Sequence, residues 1–170
     1  MLLNPIIIKK GNYMKKSILS LVALAALTMS ANATDYRAEK PEAWTTKNVY
    51  NGETPTEKGV EAAIKALYGD VKPVESDEIK LKAPKVASNG GAIPVSVKTD
   101  IPAKSIAILQ DANPEALVIV YNVVEGSEAD YSLKIKMKKS GAITAVVEGK
   151  DGKIYSKKLS LEVALGGCEG

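Results

Sequence analysis

The sequence predicts a mainly β protein: an immunoglobulin-like antiparallel β-sandwich with an N-terminal helix and a flexible C-terminal arm. Three observations carry this. After Pro73, short alternating or continuous apolar segments recur between turn residues, with no helical pattern among them. Before Pro73 stands one strongly periodic helical stretch. Beyond the last apolar run lies the glycine-rich "GGCEG". The expected organisation is an export signal over 1–33, a lead-in and helix over 34–72, a sandwich over 73–165 and an arm over 166–170.

The first segment reads as targeting sequence. Met14-Lys15-Lys16 supplies a positive start, "SILSLVALAALTM" an apolar run, and Ala31 and Ala33 the small residues that a signal peptidase reads. The run is shorter than the roughly 20 residues of a membrane span. Cleavage after Ala33 and no stable membrane anchor are therefore expected, an uncleaved N-terminal anchor being the alternative. Translation is expected to start at Met14, because "MLLNPIIIKKGNY" fits neither a signal nor a domain.

From Thr34 to Gly52 the chain is polar and reads as a loose lead-in, with one helical turn around "PEAW". The helix follows over about Pro55 to Tyr68. Thr54 is placed as N-cap, Pro55 at the first helical position and Glu57 to close a capping box. Val60, Ala63, Ile64 and Leu67 form one apolar stripe, and Gly69 is placed to end the helix in the left-handed conformation.

Strands are expected at Glu78 to Lys82, Ile93 to Thr99, Lys104 to Gln110, Ala116 to Val123, Tyr131 to Lys138, Ala142 to Gly149 and Lys153 to Leu165. About seven strands in roughly ninety residues is the size of an immunoglobulin-like domain. "ALVIVYNV" is apolar nearly throughout, as a central strand buried on both faces would be. In "YSLKIKMK" the residues Tyr131, Leu133, Ile135 and Met137 point inward, and Lys134, Lys136 and Lys138 face water. Alternating lysines there, with Lys139, serve a solvated face that protects a sheet edge, or else a partner-docking edge. Asp151-Gly152 suits a hairpin turn, and "SNGG" a turn needing positive φ or a binding loop.

The chemical inventory excludes much. The whole chain has 23 basic and 20 acidic side chains. Residues 1–33 carry four lysines (Lys9, Lys10, Lys15, Lys16) and no acid; without them 19 basic groups face 20 acidic ones, a formal net charge of −1. Arg37 is the sole arginine, so the usual bidentate reader of phosphates and bases is almost missing, and no nucleic-acid partner is expected. Histidine is absent, which removes histidine triads, mixed His/Cys zinc sites and imidazole bases. No intrinsic cofactor is expected.

The single cysteine, Cys168, cannot close an internal disulfide, so in an exported protein it points to intermolecular pairing or a thiol kept for chemistry. Gly166 and Gly167 precede it, and Glu169 and Gly170 follow. Three residues beyond Leu165 allow about 10 Å of reach. Glu169 disfavours a second negative charge beside it, and a tethered tail cannot hold a transition state to the tolerance that catalysis needs. The thiol reads as a covalent attachment point and the protein as a carrier, not an enzyme. A structural or adhesive sandwich whose tail cysteine crosslinks two chains is the alternative.

Several segments carry a family resemblance: "VEAAIKALYGD", "IKLKAPKVASNGGAIPVSV", "ANPEALVIVYNV" with Asn113-Pro114, and "VVEGKDGKIYSKKLSLEVALGGCEG". Together they resemble the SoxY family, the sulfur carriers of periplasmic thiosulfate oxidation, whose chains end in Gly-Gly-Cys-Gly-Gly. The resemblance implies an immunoglobulin-like sandwich, a periplasmic location and a heterodimer with a SoxZ-like β-sandwich subunit. It also implies sulfur species, thiosulfonate or persulfide, held covalently on Cys168. The implied further partners are a haem-containing thiosulfate-coupling enzyme, a sulfate-releasing hydrolase and a sulfane dehydrogenase. The sequence departs from the family at Glu169, where glycine is typical, and in its basic strand, where lysines replace arginines. It departs again at Lys15-Lys16, where twin arginines are common; this favours the general secretory route, with pairing after export. N-terminal sequencing of the exported protein should begin at Thr34; a start at Met14 or earlier would identify an uncleaved anchor.

Overall fold

The structure, a computed structural model, describes residues 33–164. The signal segment before Ala33, the expected start at Met14, and the arm residues Gly166, Gly167, Cys168, Glu169 and Gly170 lie outside the described residues. In chain order the elements are α1 (Tyr36–Glu39), α2 (Pro41–Thr45), β1 (Tyr50–Asn51), β2 (Thr54–Pro55), α3 (Lys58–Tyr68), β3 (Val74–Glu75) and β4 (Ile79–Lys82). They continue with β5 (Val86–Ala87), β6 (Ile93–Thr99), β7 (Ala103–Gln110), β8 (Leu117–Asn122), β9 (Ala129–Ile135), β10 (Gly141–Gly149) and β11 (Ile154–Val163).

Two sheets make the sandwich. The larger runs β3-β11-β10-β7-β8, with β5 also on β11, and the smaller runs β4-β6-β9. The long pairs are antiparallel, as expected, while the short β3 and β5 lie parallel to β11. Between the sheets, alternate residues meet in one core that includes Ile93, Val95 and Val97 of β6 and Ile106, Ile108, Ile143 and Val147 of the large sheet. Fully burying each such side chain contributes about 1.5–3 kcal/mol.

The outer face of the large sheet is covered too. Val60, Ala63, Ile64 and Leu67 of α3, the expected stripe, pack with Tyr36 and Ala43 against Ala107, Leu109, Leu117, Val146 and Ile154. This second core explains why β7 is buried without a break from Ser105 to Gln110, and β10 from Ala142 to Val147. The strand buried on both faces is therefore not "ALVIVYNV". That segment forms β8, at the sheet edge, where Val118 to Asn122 are only half-buried.

The lead-in is more ordered than its polarity suggests. Asp35 caps α1 by accepting from the Arg37 and Ala38 amides, and the Trp44 indole donates to the Tyr36 carbonyl. Arg37 lies over the Trp44 ring at 4.2 Å. The Tyr36 hydroxyl donates to Glu148 at 3.0 Å, Ser105 Oγ donates to the same oxygen at 2.9 Å, and Tyr68 meets Ser105 at 3.2 Å. Burial, against the lowering effect of the Ser105 bond, raises the Tyr36 phenol above its ordinary value, so it remains a donor. Asn122 of β8 donates to the Thr34 carbonyl, and Lys47 pairs with Glu115, so this segment flanks the β8 edge.

The helix begins three residues later than its sequence signals place it. Thr54 and Pro55 instead form β2, paired with β1, and Glu57 makes no side-chain cap bond. Its carboxylate pairs with Lys158 of β11, whose hydrogen bond holds it below the usual carboxylate range. A tertiary ion pair has replaced the capping box. Gly69 ends the helix at φ 86 and ψ −169, positive as expected but outside the left-handed helical region. In "SNGG" the Asn89 side chain accepts from the Gly91 amide, and the turn closes without positive φ at Gly90 or Gly91. The β10–β11 hairpin does need Gly152 at φ 83.

Gly59 lies against the segment before β1. A Cβ there would fall 2.5 Å from Asn48 Cα and 2.7 Å from the Lys47 carbonyl oxygen. Gly59→Ala should cost about 1–3 kcal/mol in urea denaturation, by forcing α3 away from Asn48; an unchanged midpoint would show that this contact yields freely.

Candidate functional site

The thiol that the sequence singles out lies outside the described residues, so the structural question is what holds the root of its segment. That root is β11. Its pairing with β10 runs from Glu148↔Ile154 to Gly141↔Leu161 without a register shift. Leu161 is buried in the inter-sheet core. On the other edge, β3 pairs at Tyr155 and Ser156, and β5 at Glu162 and Val163. The final bonds are specific. The Glu162 amide donates to the Lys85 carbonyl at 2.8 Å, the Val163 amide to Ser140 Oγ at 2.9 Å, and the Ala164 amide to the Ala87 carbonyl at 2.9 Å. The chain is thus fixed as far as Ala164. Cys168 follows four residues later, no more than about 14 Å away along an extended backbone.

A second feature shapes the same end of the sandwich. Gln110, almost fully buried at the end of β7, accepts from the Ala112 and Asn113 amides, both at 2.7 Å. Asn113 then bridges to the opposite sheet: its Nδ2 donates to the Lys136 carbonyl at 2.5 Å, and its Oδ1 accepts from the Lys138 amide at 3.1 Å. Its own carbonyl accepts from Tyr50 at 2.7 Å and Asn48 at 2.8 Å. Burial, then the Asp111 and Glu115 carboxylates, raise the Tyr50 phenol, which keeps it protonated as a donor. Asp111 Oδ1 accepts from the Ala142 amide, tying the start of β10 to the same corner.

This corner sets the lysines. Lys134, Lys136 and Lys138 are exposed on and beyond the edge strand β9, and Ile135 and Met137 are buried, as the alternation predicts. Tyr131 and Leu133 are half-buried, with Tyr131 stacked on Tyr121 of β8 at 4.3 Å. Lys139 turns back, donating to the Glu53 carbonyl and lying over the Tyr50 ring at 4.1 Å. Across the root, Lys85 precedes β5, and Lys82 ends β4. Lys82 and Lys134 border an open, largely apolar groove of about 930 Å³ that also includes Pro84 and Pro94.

Of the residues singled out in the sequence, Gly166, Gly167, Cys168, Glu169 and Gly170 are thus located only by their root. Three contributors carried no prior signal: Lys85 and Ser140, whose backbone carbonyl and hydroxyl accept from β11, and the Asn113 side chain. Asn-Pro before a strand marks Asn113 as a turn residue, but nothing local shows that its amide reaches across to β9. Among the described residues, no group of three or more His, Cys, Asp or Glu side chains is placed to hold a metal. No described helix is long and apolar enough to cross a membrane.

Comparison with known proteins adds three findings. The family profile described as "Sulfur oxidation protein SoxY" matches residues 64–168. The sulfur carrier protein SoxY from Chlorobium limicola f. thiosulfatophilum is 34% identical, with a TM-score of 0.57 over 61% of this chain and 90% of that one. Superoxide reductase (neelaredoxin) from Ignicoccus hospitalis is 18% identical, with a TM-score of 0.46 over 51% of this chain and 80% of that one. No curated protein sequence matches the chain.

Asn113→Ala would leave the Lys136 carbonyl and the Lys138 amide without their partner, a loss of about 1–3 kcal/mol. Faster amide exchange at Lys138 and a lower Tm should follow. Unchanged exchange at Lys138 would show that Asn113 does not hold this corner.

Proposed function

The chain belongs to the SoxY family of sulfur-oxidation proteins, and from that membership we propose that it is a periplasmic sulfur carrier that holds its cargo on Cys168. The observation that carries this reading is the placement of the thiol. The family match runs to residue 168, and the strand leading towards it is bonded on both edges as far as Val163 and on one edge at Ala164. A fixed strand followed by Gly166 and Gly167 suits a thiol presented to other proteins' clefts. The protein supplies the attachment point and does not itself catalyse; the oxidising and hydrolytic groups belong to its partners.

The cycle follows from the chemistry of the adduct. A haem-containing partner joins thiosulfate to the thiol: a sulfur–sulfur bond forms, the thiol proton is released and two electrons pass to the haem enzyme. The cysteine S-thiosulfonate that results is an anion. A hydrolase then adds water across the bond to the outer sulfur, releasing sulfate and a proton and leaving a persulfide on Cys168. A sulfane dehydrogenase oxidises the remaining sulfur, or it is passed on. A SoxZ-like sandwich subunit completes the carrier as a heterodimer, formed after export through the general secretory route.

Intact-mass spectrometry of the protein from thiosulfate-grown cells tests the proposal. Reducible adducts of one or more sulfur atoms, with or without oxygens, should be present and should vanish in Cys168→Ser. Free thiol together with the symmetric disulfide alone would overturn the carrier reading in favour of a crosslinking sandwich protein.

A further inference from the structure

A cavity of about 230 Å³, wholly within the described residues, lies between α3 and the outer face of the large sheet. Val60 and Ile64 of α3 form an apolar wall with Pro73, while Asp111, Thr144 and Ser156 line it from the sheet. Strand alternation puts Thr144 on this side. Its neighbours Ile143 and Ala145 belong to the inter-sheet core, so the Thr144 side chain takes the face that α3 covers.

Asp111 and Thr144 are more than nine-tenths buried, with exposures of 7% and 9%. Asp111 Oδ1 accepts from the Ala142 amide at 2.7 Å, but Oδ2 has no hydrogen bond and no ion pair among the described residues. The Thr144 hydroxyl has no partner there either. Neither atom is closed off from the cavity: among the described residues, the sealed side-chain atom that lacks a partner is Asn48 Oδ1. Both therefore offer unused hydrogen-bonding capacity to whatever enters.

A buried carboxylate oxygen and a buried hydroxyl without partners carry a desolvation cost that a ligand removes by donating to them. An ionised carboxylate only accepts, so the matching group is a donor, and a positively charged donor gains most. The lysines of the lining do not supply it. Lys158 is engaged by Glu57, and the exposed Lys72 is matched in number by the exposed Glu61. Three carboxylates (Glu57, Glu61, Asp111) thus face two ammonium groups (Lys72, Lys158), and the unmatched charge is the buried Asp111. A calcium ion takes about six to eight oxygen ligands, and no group of three or more acidic side chains among the described residues is placed to hold a metal. At roughly 30 Å³ per water-sized group, the cavity admits about seven non-hydrogen atoms.

We propose that this cavity binds a small primary aliphatic ammonium compound, whose charged group donates to Asp111 and Thr144 while its carbon chain lies along Val60, Ile64 and Pro73. An ammonium group has three N–H donors, enough for both side chains and a water. An apolar wall with a few converging polar groups is the usual make-up of a small-molecule site. The site shares no residue with the C-terminal segment and is independent of the carrier reading.

The test is a titration of the isotope-labelled full chain with n-butylammonium chloride, against sodium chloride at the same concentration, followed by NMR at the Ala142 and Thr144 amides. The Ala142 amide reports directly, because Asp111 is its acceptor. Both signals should shift saturably, with a dissociation constant on the order of 1 mM. n-Butanol, with the same chain and no charge, should bind about tenfold more weakly or worse. Asp111→Asn keeps an acceptor for the Ala142 amide but removes the charge, and should weaken butylammonium binding about tenfold or more. Thr144→Val keeps the shape and should weaken it a few-fold. If Asp111→Asn melts early, Thr144→Val, which breaks no existing bond, decides the matter. Equal binding of n-butanol would reduce the cavity to an apolar slot and overturn the proposal. So would an unchanged affinity in a folded Asp111→Asn, or shifts no larger than those sodium chloride produces.

Discussion

The C-terminal end of the described domain depends on β11 being held from both edges. A terminal strand paired on one side would fray by a residue or more, and the position of any thiol beyond it would blur by the same amount. Here β10 holds one edge over eight residue pairs, while β3 and β5 hold the ends of the other. The two short parallel strands cover the ends of that edge, where free backbone groups would otherwise invite another chain. Beyond the last β10 pair, the Ser140 hydroxyl accepts from the Val163 amide.

That clamp needs a rigid sheet behind it, and rigidity comes from burial on both faces. The sandwich core stiffens one face of β7 and β10, and the helical layer stiffens the other. The Tyr36–Glu148–Ser105–Tyr68 chain fastens the helical layer to the sheet by polar contacts that an apolar interface alone would not orient. As a result the large sheet gives its outer face to its own N-terminal segment. The outer face of the small sheet, with its lysines and serines, remains the exposed one.

Much of this was legible in the residues because period and turn chemistry are local. The alternation in "IPVSVKT" and the stripe in α3 each depend on side chains a few positions apart, and both elements formed. The failures share a cause, which is that the deciding contact is remote. Burial of β7 and β10 depends on helices 30 or more residues earlier, so the most apolar run, "ALVIVYNV", reads as central although it lies at the edge. The capping box at Thr54 was undone by Lys158, about a hundred residues away. The polar lead-in looked loose because Tyr36 finds Glu148 only in three dimensions. Composition and position single out Cys168 in the sequence, and it lies outside the described residues. The residues that fix its root, Lys85, Ser140 and Asn113, act through backbone bonds and a cross-sheet amide, which leave no periodic trace.

If Cys168 is the attachment point proposed above, the four-residue link from Ala164 to its thiol has a kinetic meaning. On that reading an enzyme would sit against the end of the sandwich to reach the cysteine, and two enzymes would not work on one carrier together. Each handover then requires complete release of the previous enzyme, and dissociation enters the turnover time of every step. Tight binding would slow such a relay, because affinity differences among related complexes appear mainly in the dissociation rate. The brevity of the link thus sets an upper limit on how strongly any one client should hold the carrier.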